Sequence, residues 1–163
     1  MRLPQLFQMQ KALDAHIEEK HQLGNEDLFS RKVLALLVEL GELANETRCF
    51  KFWSVKPSSA KEVILEEFVD GIHFILSLGI ECGFDQNEFT VTNEPAVNSA
   101  FEQFLAVYEQ INLFHKSKSF ADYLKLWEAY LQLAAQLGLT YNEMEQAYFQ
   151  KNEVNYQRQL NNY

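Results

Sequence analysis

Apolar residues recur at three- and four-residue steps along most of the chain, the spacing that places them on one face of an α-helix. The first run predicts a helix over about residues 4–20. A second run, over about residues 27–48, is apolar on so broad a face that we expect this helix at the centre of the fold. Its apolar members are Leu28, Val33, Leu36, Leu37, Leu40, Leu43 and Ala44.

A third helix is predicted by capping chemistry as well as by periodicity. The pair Ser59-x-x-Glu62 has the pattern of a capping box, in which two side chains satisfy free backbone N–H groups at a helix start. This helix is expected to continue to about residue 81, where Gly83 stands at the position that commonly ends a helix. Residues 84–95 have the composition of a polar connection.

Three more helices complete the predicted fold. They span about residues 96–114, 120–137 and 140–160, and a second capping box, Thr140-x-x-Glu143, opens the last of them. No alternating β pattern competes with these runs. The sequence therefore predicts an all-α bundle of five to six helices, folded as one domain over residues 1–163.

Composition and charge narrow the classes of function. The chain has 163 residues, 47% of them hydrophobic, and a net charge of −9. This acidity argues against a general nucleic-acid binder, because phosphate-backbone affinity comes from clustered Lys and Arg. No apolar run approaches the roughly 18 residues of a membrane span. Two cysteines and no signal-peptide pattern lead us to expect a cytoplasmic protein.

Acidic residues lie inside the two most apolar helices at spacings that place them on a common helix face. They are Glu39, Glu42 and Glu46 on the second helix, and Glu67 and Asp70, followed by His73, on the third. Acids in core-forming helices cost free energy unless they are paired, protonated or bound to metal. If the two helices pack antiparallel, four carboxylates converge, and such a cluster suits a hard cation such as Mg²⁺. The alternative is that these acids occupy solvated helix faces.

The order of the acids resembles a known family pattern. Glu39-x-x-Glu42 followed by Glu67-x-x-Asp70 matches the E-x-x-E…E-x-x-D signature of the all-α nucleoside triphosphate pyrophosphatases, which include MazG-like proteins and the dimeric dUTPases. The chain is most similar to the dimeric dUTPases in their short bacterial and phage form. Four segments carry this resemblance along the whole chain: FQMQKALDAHI at 7–17, FKFWS at 50–54, EEFVDGIHF at 66–74 and KNEVNYQRQ at 151–159.

The resemblance implies Mg²⁺-dependent hydrolysis of dUTP, with dUDP as a related ligand, and Mn²⁺ as a substitute metal. It implies that Glu39, Glu42, Glu67 and Asp70 bind the metal, and that a metal-bound water attacks a phosphorus and releases pyrophosphate. A metal lowers the pKa of such a water. Glu42, beside Glu39, is the expected proton acceptor. In this family attack is directed at the β-phosphorus, and nothing in the sequence distinguishes it from α-attack.

The resemblance also implies a nucleoside site. Trp53 is expected to stack on the uracil ring, Gln10 to bind the edge of the base, His73 to contact the deoxyribose 3′-OH, and Asn45 to face the nucleotide. The competing interpretations are a packing or lid role for Trp53, an exposed helix glutamine and a hydrogen-bonded core histidine. Relatives carry Asn where this chain has Asp14.

The last helix is expected to supply the positive charge that a triphosphate needs. Lys151, Asn155 and Arg158 share one helix face, and the resemblance implies that they approach the phosphates. The alternative is a solvated basic helix end that is stabilised by the helix dipole.

A homodimer is the expected assembly. Large exposed apolar patches usually mark association sites, and the later helices carry more aromatic residues than we expect one small bundle to bury. These residues are Phe101, Phe104, Tyr108, Phe114, Phe120, Tyr123, Trp127, Tyr130, Tyr148 and Tyr156.

Three other functions fit parts of the sequence. An all-α pyrophosphatase for dCTP or a modified nucleotide would share the same acids. A di-iron carboxylate bundle would use Glu18-x-x-His21 and Asp70-x-x-His73, because such sites combine Glu residues with Glu-x-x-His motifs. A non-catalytic helical interaction module would leave the acids exposed and dispensable.

Overall fold

Six α-helices form the fold in the computed structural model, which describes residues 1–92 and 97–161. No strand occurs in these two ranges, so the all-α prediction is confirmed. A short 3₁₀ helix, Phe84–Gln86, lies in the predicted polar connection. The helices are α1 (Leu3–Lys20), α2 (Phe29–Thr47), α3 (Lys61–Glu81), α4 (Ala100–Ser117), α5 (Phe120–Gln136) and α6 (Tyr141–Leu160).

The two helices expected at the centre, α2 and α3, pack against each other. α1 and α6 pack on α3, and α4 packs on both α2 and α5. Burial of the apolar faces holds this arrangement together, since each fully buried Leu, Ile or Phe side chain contributes roughly 1.5–3 kcal/mol. Fully buried core residues of these two helices include Leu36 and Leu40 on α2, and Phe68 and Ile72 on α3. None of the described helices is long and apolar enough to cross a bilayer.

The predicted capping box at the start of α3 is wrong. Ala60 occupies the N-cap, and no side chain caps this end of the helix. Ser59 instead bonds to Glu46 twice: its hydroxyl donates to the carboxylate and its N–H donates to the carbonyl. The local pattern fails because a residue on α2 offers Ser59 a better-placed acceptor than α3 does.

The capping box predicted for α6 is confirmed, with Thr140 accepting from the N–H of Glu143. A further box that the sequence analysis missed, Ser99 with Glu102, opens α4. The predicted start of this helix at residue 96 lies outside the described residues, and α4 begins at Ala100.

Tyrosine hydroxyls dock on glycines of the central helices. Tyr130 donates to the carbonyl of Phe68 at 2.7 Å, and a Cβ placed on Gly71 would lie 1.9 Å from the same hydroxyl oxygen. Tyr123 makes the same contact beside Gly79 of α3, where a Cβ would lie 2.2 Å from its hydroxyl oxygen. These glycines let α5 approach the backbone of α3 closely.

The aromatic argument for a homodimer is wrong, because most of these side chains are buried within one chain. Tyr123, Trp127, Tyr130 and Tyr148 have no exposed surface, and Phe104 is only 4% exposed. The glycines of α3 make room for rings that the sequence analysis assigned to an interface. A homodimer therefore needs a different surface.

We predict that Gly71→Ala lowers the free energy of unfolding by about 2–3 kcal/mol, because the new methyl group overlaps the Tyr130 ring. Gly24→Ala is the matched control, since nothing lies within 4 Å of a Cβ at that position. Urea unfolding of both variants measures the difference. Equal stability of the two variants would contradict the docking of Tyr130 on α3.

Candidate active site

Three carboxylates meet where α2 and α3 pack together. Ligand oxygens of Glu39, Glu67 and Asp70 all lie within 4.8 Å of one another, and each side chain is partly buried. Their neighbours in sequence, Leu40 and Phe68, are fully buried in the core. The packing that buries these neighbours therefore holds the acids together at the rim of the core.

Glu42 and Glu46, which share the helix face of Glu39, have different surroundings. Glu42 is exposed and lies outside the group of three, although its charge acts on Glu39 and Glu67. Glu46 is bonded to Ser59. Of the four carboxylates expected to converge, three do so closely, and Glu42 lies next to them on the solvent side.

The charges of the cluster oppose one another. Burial, followed by the charges of Asp70, Glu42 and Glu67, raises the pKa of Glu39 to about 7. Burial and the Asp70 charge also raise the pKa of Glu67. Burial raises the pKa of Asp70 even though Lys151 lowers it. Each acid is thus held where its ionised form is disfavoured unless a cation is close.

Lys151 of α6 brings a positive charge to this cluster. Its Nζ lies 2.7 Å from Asp70 Oδ2 and 2.9 Å from Glu66 Oε1. Burial lowers the pKa of Lys151, but the two carboxylates outweigh burial and the net shift is upward. Lys151, which was predicted to approach the phosphates, therefore forms an ion pair with Asp70, one of the predicted metal ligands.

A cavity of about 280 Å³ opens beside the acids, between α1, α2, α3 and α6. Glu39 and Asp70 belong both to its wall and to the carboxylate cluster. The sequence-predicted residues Gln10, His73, Asn155 and Arg158 line the same cavity. The fold thus brings together residues from four helices around one space.

Gln10 and His73 form a buried pair in this wall. Gln10 is 4% exposed, which rules out an exposed helix glutamine. Its Oε1 accepts from His73 Nδ1 at 2.7 Å and from the Tyr148 hydroxyl at 2.9 Å, and its Nε2 donates to Asp14 Oδ1 at 2.8 Å.

His73 is an uncharged histidine. Burial, and then the charge of Lys151, lowers its pKa to about 3. Its ring stacks on Tyr148 with a centroid separation of 4.2 Å. With Nδ1 donating to Gln10, Nε2 carries no proton, and it has no hydrogen-bond partner among the described residues. His73 therefore offers the cavity wall an acceptor.

Two predicted nucleotide contacts do not line the cavity. Trp53 is 65% exposed and packs edge-to-face against Phe50 and Phe52 in the loop between α2 and α3. Asn45 is exposed and accepts a hydrogen bond from Lys51.

The last helix, α6, contributes to the site more directly. Its residue Arg158 lines the cavity, and the charge of Arg158 lowers the pKa of Asp70.

Lys32 and Ser77 are cavity residues that the sequence analysis missed. The Ser77 hydroxyl donates to Asp14 Oδ2 at 2.6 Å, and Lys32 Nζ lies 3.8 Å from the same oxygen. Ser77 was detectable, since it follows His73 by four residues and thus shares its helix face. Lys32 was not, because it reaches Asp14 only through the packing of α2 on the other helices.

Comparison with known proteins decides the family. A family model described as dUTPase matches residues 2–163. The chain belongs to the all-α dimeric dUTPase family. A search among curated proteins gives no match.

Membership in this dUTPase family makes the protein an enzyme, a dUTP diphosphatase of nucleotide metabolism. The prediction of a dUTPase is confirmed, and the alternative of a non-catalytic module is wrong. A di-iron site has no support in the described residues, where the acids at 39, 67 and 70 form the one group with ligand spacing. His21, of the other candidate motif, is bonded to Gln159.

We predict that Glu39→Gln stabilises the metal-free enzyme at pH 8 by about 1–2 kcal/mol, a value discounted for partial solvation. The pKa of Glu39 is raised in the folded state, so the wild type loses stability as the pH rises from about 4.5 to about 7. The advantage of Gln should therefore vanish below pH 4.5. Urea unfolding in EDTA measures it, with the exposed Glu109→Gln as control.

An advantage that does not change with pH would contradict the repulsion within the cluster. An equal gain in Glu109→Gln would assign the effect to overall net charge instead.

Proposed function

We propose that this dUTP diphosphatase binds Mg²⁺ at Glu39, Glu67 and Asp70, with Glu42 as a fourth ligand, and hydrolyses dUTP to dUMP and pyrophosphate. The observation that carries the proposal is the meeting of three carboxylates within 4.8 Å at the rim of a 280 Å³ cavity. Residues 1–163 act as one catalytic domain, related to the wider MazG-like superfamily.

The residues present fit a hard divalent cation. The cluster offers only carboxylate oxygens, which Mg²⁺ prefers, and Mn²⁺ is compatible with the same ligands. The pKa of Glu39 is raised by burial and then by the neighbouring carboxylates, whose negative charge one lysine does not balance. Bound metal would neutralise charge on the triphosphate and lower the pKa of a coordinated water.

The chain's own carboxylates divide the remaining work. Glu42 is exposed beside the cluster and is therefore placed to accept a proton from the attacking water. Glu39 supports this step as a metal ligand one turn before Glu42 on the same helix face. Glu42 and Glu39 are therefore the proposed catalytic residues.

The nucleotide extends from the cluster into the cavity. Lys151, Asn155 and Arg158 face the phosphates from α6, while Gln10 and His73 meet the nucleoside. The phosphates replace Asp70 as the partner of Lys151, which supplies positive charge to an enzyme with a net charge of −9.

Metal dependence and base selectivity test this proposal together. The wild type should hydrolyse dUTP faster than dCTP or dTTP and lose activity in EDTA. Asp70→Asn should lower kcat at least about 100-fold, because it removes a metal ligand. Glu66→Gln is the matched control, since Glu66 also contacts Lys151 but lies outside the cluster. Pyrophosphate release measures both.

Equal losses in Asp70→Asn and Glu66→Gln would assign the effect to Lys151 instead of the metal. Faster hydrolysis of dCTP than of dUTP would overturn the base assignment.

Trp53 and Asn45 belong to the proposed substrate contacts, although both stand outside the cavity wall. The large exposed surface of Trp53 leaves an indole face available for stacking. We predict that a non-hydrolysable dUTP analogue with Mg²⁺ changes the fluorescence of the wild type and not of Trp53→Phe. Trp127 is fully buried and should report little. An unchanged signal in the wild type, with an unchanged KM in Trp53→Ala, would remove Trp53 from the site.

A homodimer is the proposed assembly, and the packed pair α2–α4 is its proposed surface. Large apolar side chains are exposed along this pair, which supports the assignment. They are Leu34 and Val38 on α2, and Phe101, Leu105 and Leu113 on α4. A cytoplasmic location is also part of the proposal, since both cysteines are free.

We predict that Leu105→Glu converts the dimer to a monomer, because a buried unpaired charge at the interface is unfavourable. Leu160→Glu is the matched control, as Leu160 is equally exposed but lies at the end of α6. Sedimentation equilibrium should give twice the chain mass for the wild type and the control. A monomeric wild type at micromolar concentration would contradict the assembly.

A further inference from the structure

A chain of polar contacts, one ion pair followed by hydrogen bonds, crosses the inner wall of the cavity from α2 to α6. Lys32 Nζ faces Asp14 Oδ2 at 3.8 Å, and Asp14 Oδ1 accepts from Gln10 Nε2 at 2.8 Å. Gln10 Oε1 then accepts from His73 and from Tyr148. This chain continues beyond the proposed nucleoside contacts Gln10 and His73, and its outer members have no proposed role in catalysis.

Most members of the chain can donate or accept. A tyrosine hydroxyl can do both, and a neutral imidazole can carry its proton on either nitrogen. Tyr148 also has the Leu6 carbonyl as a second acceptor at 3.3 Å. If the Gln10 amide were reversed, its NH₂ could donate to His73 and Tyr148 instead. His73 and Tyr148 alone therefore do not determine the orientation of the Gln10 amide.

Asp14 determines the orientation of the Gln10 amide, because an ionised carboxylate can only accept hydrogen bonds. Burial raises the pKa of Asp14, but the Lys32 ammonium and the Ser77 hydroxyl, which both face its Oδ2, oppose that rise and favour the ionised carboxylate. A reversed amide would place Gln10 Oε1 against Asp14 Oδ1, two acceptors with no proton between them. Lys32 is only 13% exposed, so solvent weakens its effect little.

We infer that Asp14, held by Lys32, is a positioning residue that orients the Gln10 amide and thereby selects uracil over cytosine. This inference rests on the proposed placement of the base in the cavity. It departs from a direct base contact by Asp14, whose oxygens are already occupied by Gln10, Ser77 and Lys32.

The selectivity for uracil follows from the hydrogen-bonding group of Gln10 that remains without a protein partner. Its oxygen already accepts two hydrogen bonds, and one hydrogen of its NH₂ is given to Asp14. One N–H donor remains for the ligand. A uracil carbonyl accepts from it, whereas the cytosine amino group presents a hydrogen to it. A buried donor without a partner is costly, so cytosine is disfavoured.

The closing experiment compares Asp14→Asn with Glu81→Gln. Both changes turn a carboxylate that contacts Lys32 into an amide, but Glu81 does not line the cavity. An asparagine at position 14 can donate or accept a hydrogen bond, so the Gln10 amide no longer has one preferred orientation. We expect Asp14→Asn to lower the ratio of kcat/KM for dUTP over dCTP at least about tenfold. Glu81→Gln should keep the wild-type ratio.

A second readout needs no nucleotide. The chain has four histidines, and replacing His16, His21 and His115 with Gln leaves His73 alone. In that background, ¹⁵N NMR should show the His73 proton on Nδ1. Asp14→Asn should shift the tautomer population toward Nε2–H, whereas Glu81→Gln should not. A merely structural role for Asp14 would not move this signal.

Two results would overturn the inference: an unchanged tautomer and base selectivity in Asp14→Asn, or equal changes in Glu81→Gln. A wild type that hydrolyses no dUTP would instead remove the proposed function. The tautomer measurement would then still decide whether Asp14 orients Gln10, so the two failures are distinguishable.

Discussion

The fold holds three carboxylates closer together than their charges favour. Glu39, Glu67 and Asp70 meet within 4.8 Å because the core-facing sides of α2 and α3 are fully buried. Separating the acids would require separating this core. The cost appears as raised pKa values for all three acids, of which Glu39 reaches about 7. A cation relieves that cost, and this need connects the packing of the protein with its proposed chemistry.

The helix α3 connects the two ends of the site. Glu67 and Asp70 belong to the carboxylate cluster, while His73 and Ser77 follow on the same helix and line the cavity. Tyrosines from α5 dock on the backbone of α3 near Gly71 and Gly79. The distance between the proposed phosphate end and the proposed nucleoside end is therefore set by one well-packed helix, as precise orientation of a substrate requires.

Much of this arrangement was predictable from sequence, because helix periodicity and capping patterns are local. A bundle of five to six helices followed from spacing, and the meeting of the acids on α2 and α3 was expected if these two helices packed antiparallel. Features that depend on contact between helices were not predictable. Ser59 bonds to Glu46 instead of capping α3, and Lys32 reaches Asp14 from another helix.

The burial of the aromatic residues was also not predictable from sequence, because it depends on the space available between helices. Hydrophobic counting assigns their rings to an interface, since it does not include the space that a helical glycine provides. Tyr123 and Tyr130 fill that space and bond to carbonyls of α3. The apolar side chains that stay exposed are instead on α2 and α4, among them Leu34 and Leu105.

The most direct test of the central claim is Mn²⁺ binding, measured by electron paramagnetic resonance with a non-hydrolysable dUTP analogue present. The wild type should bind Mn²⁺, and Glu67→Gln should weaken binding at least about tenfold. Glu62→Gln, an exposed acid in the first turn of the same helix, should bind like the wild type. A wild type that binds no Mn²⁺, or a Glu67→Gln variant that binds it equally well, would contradict a metal site at this cluster.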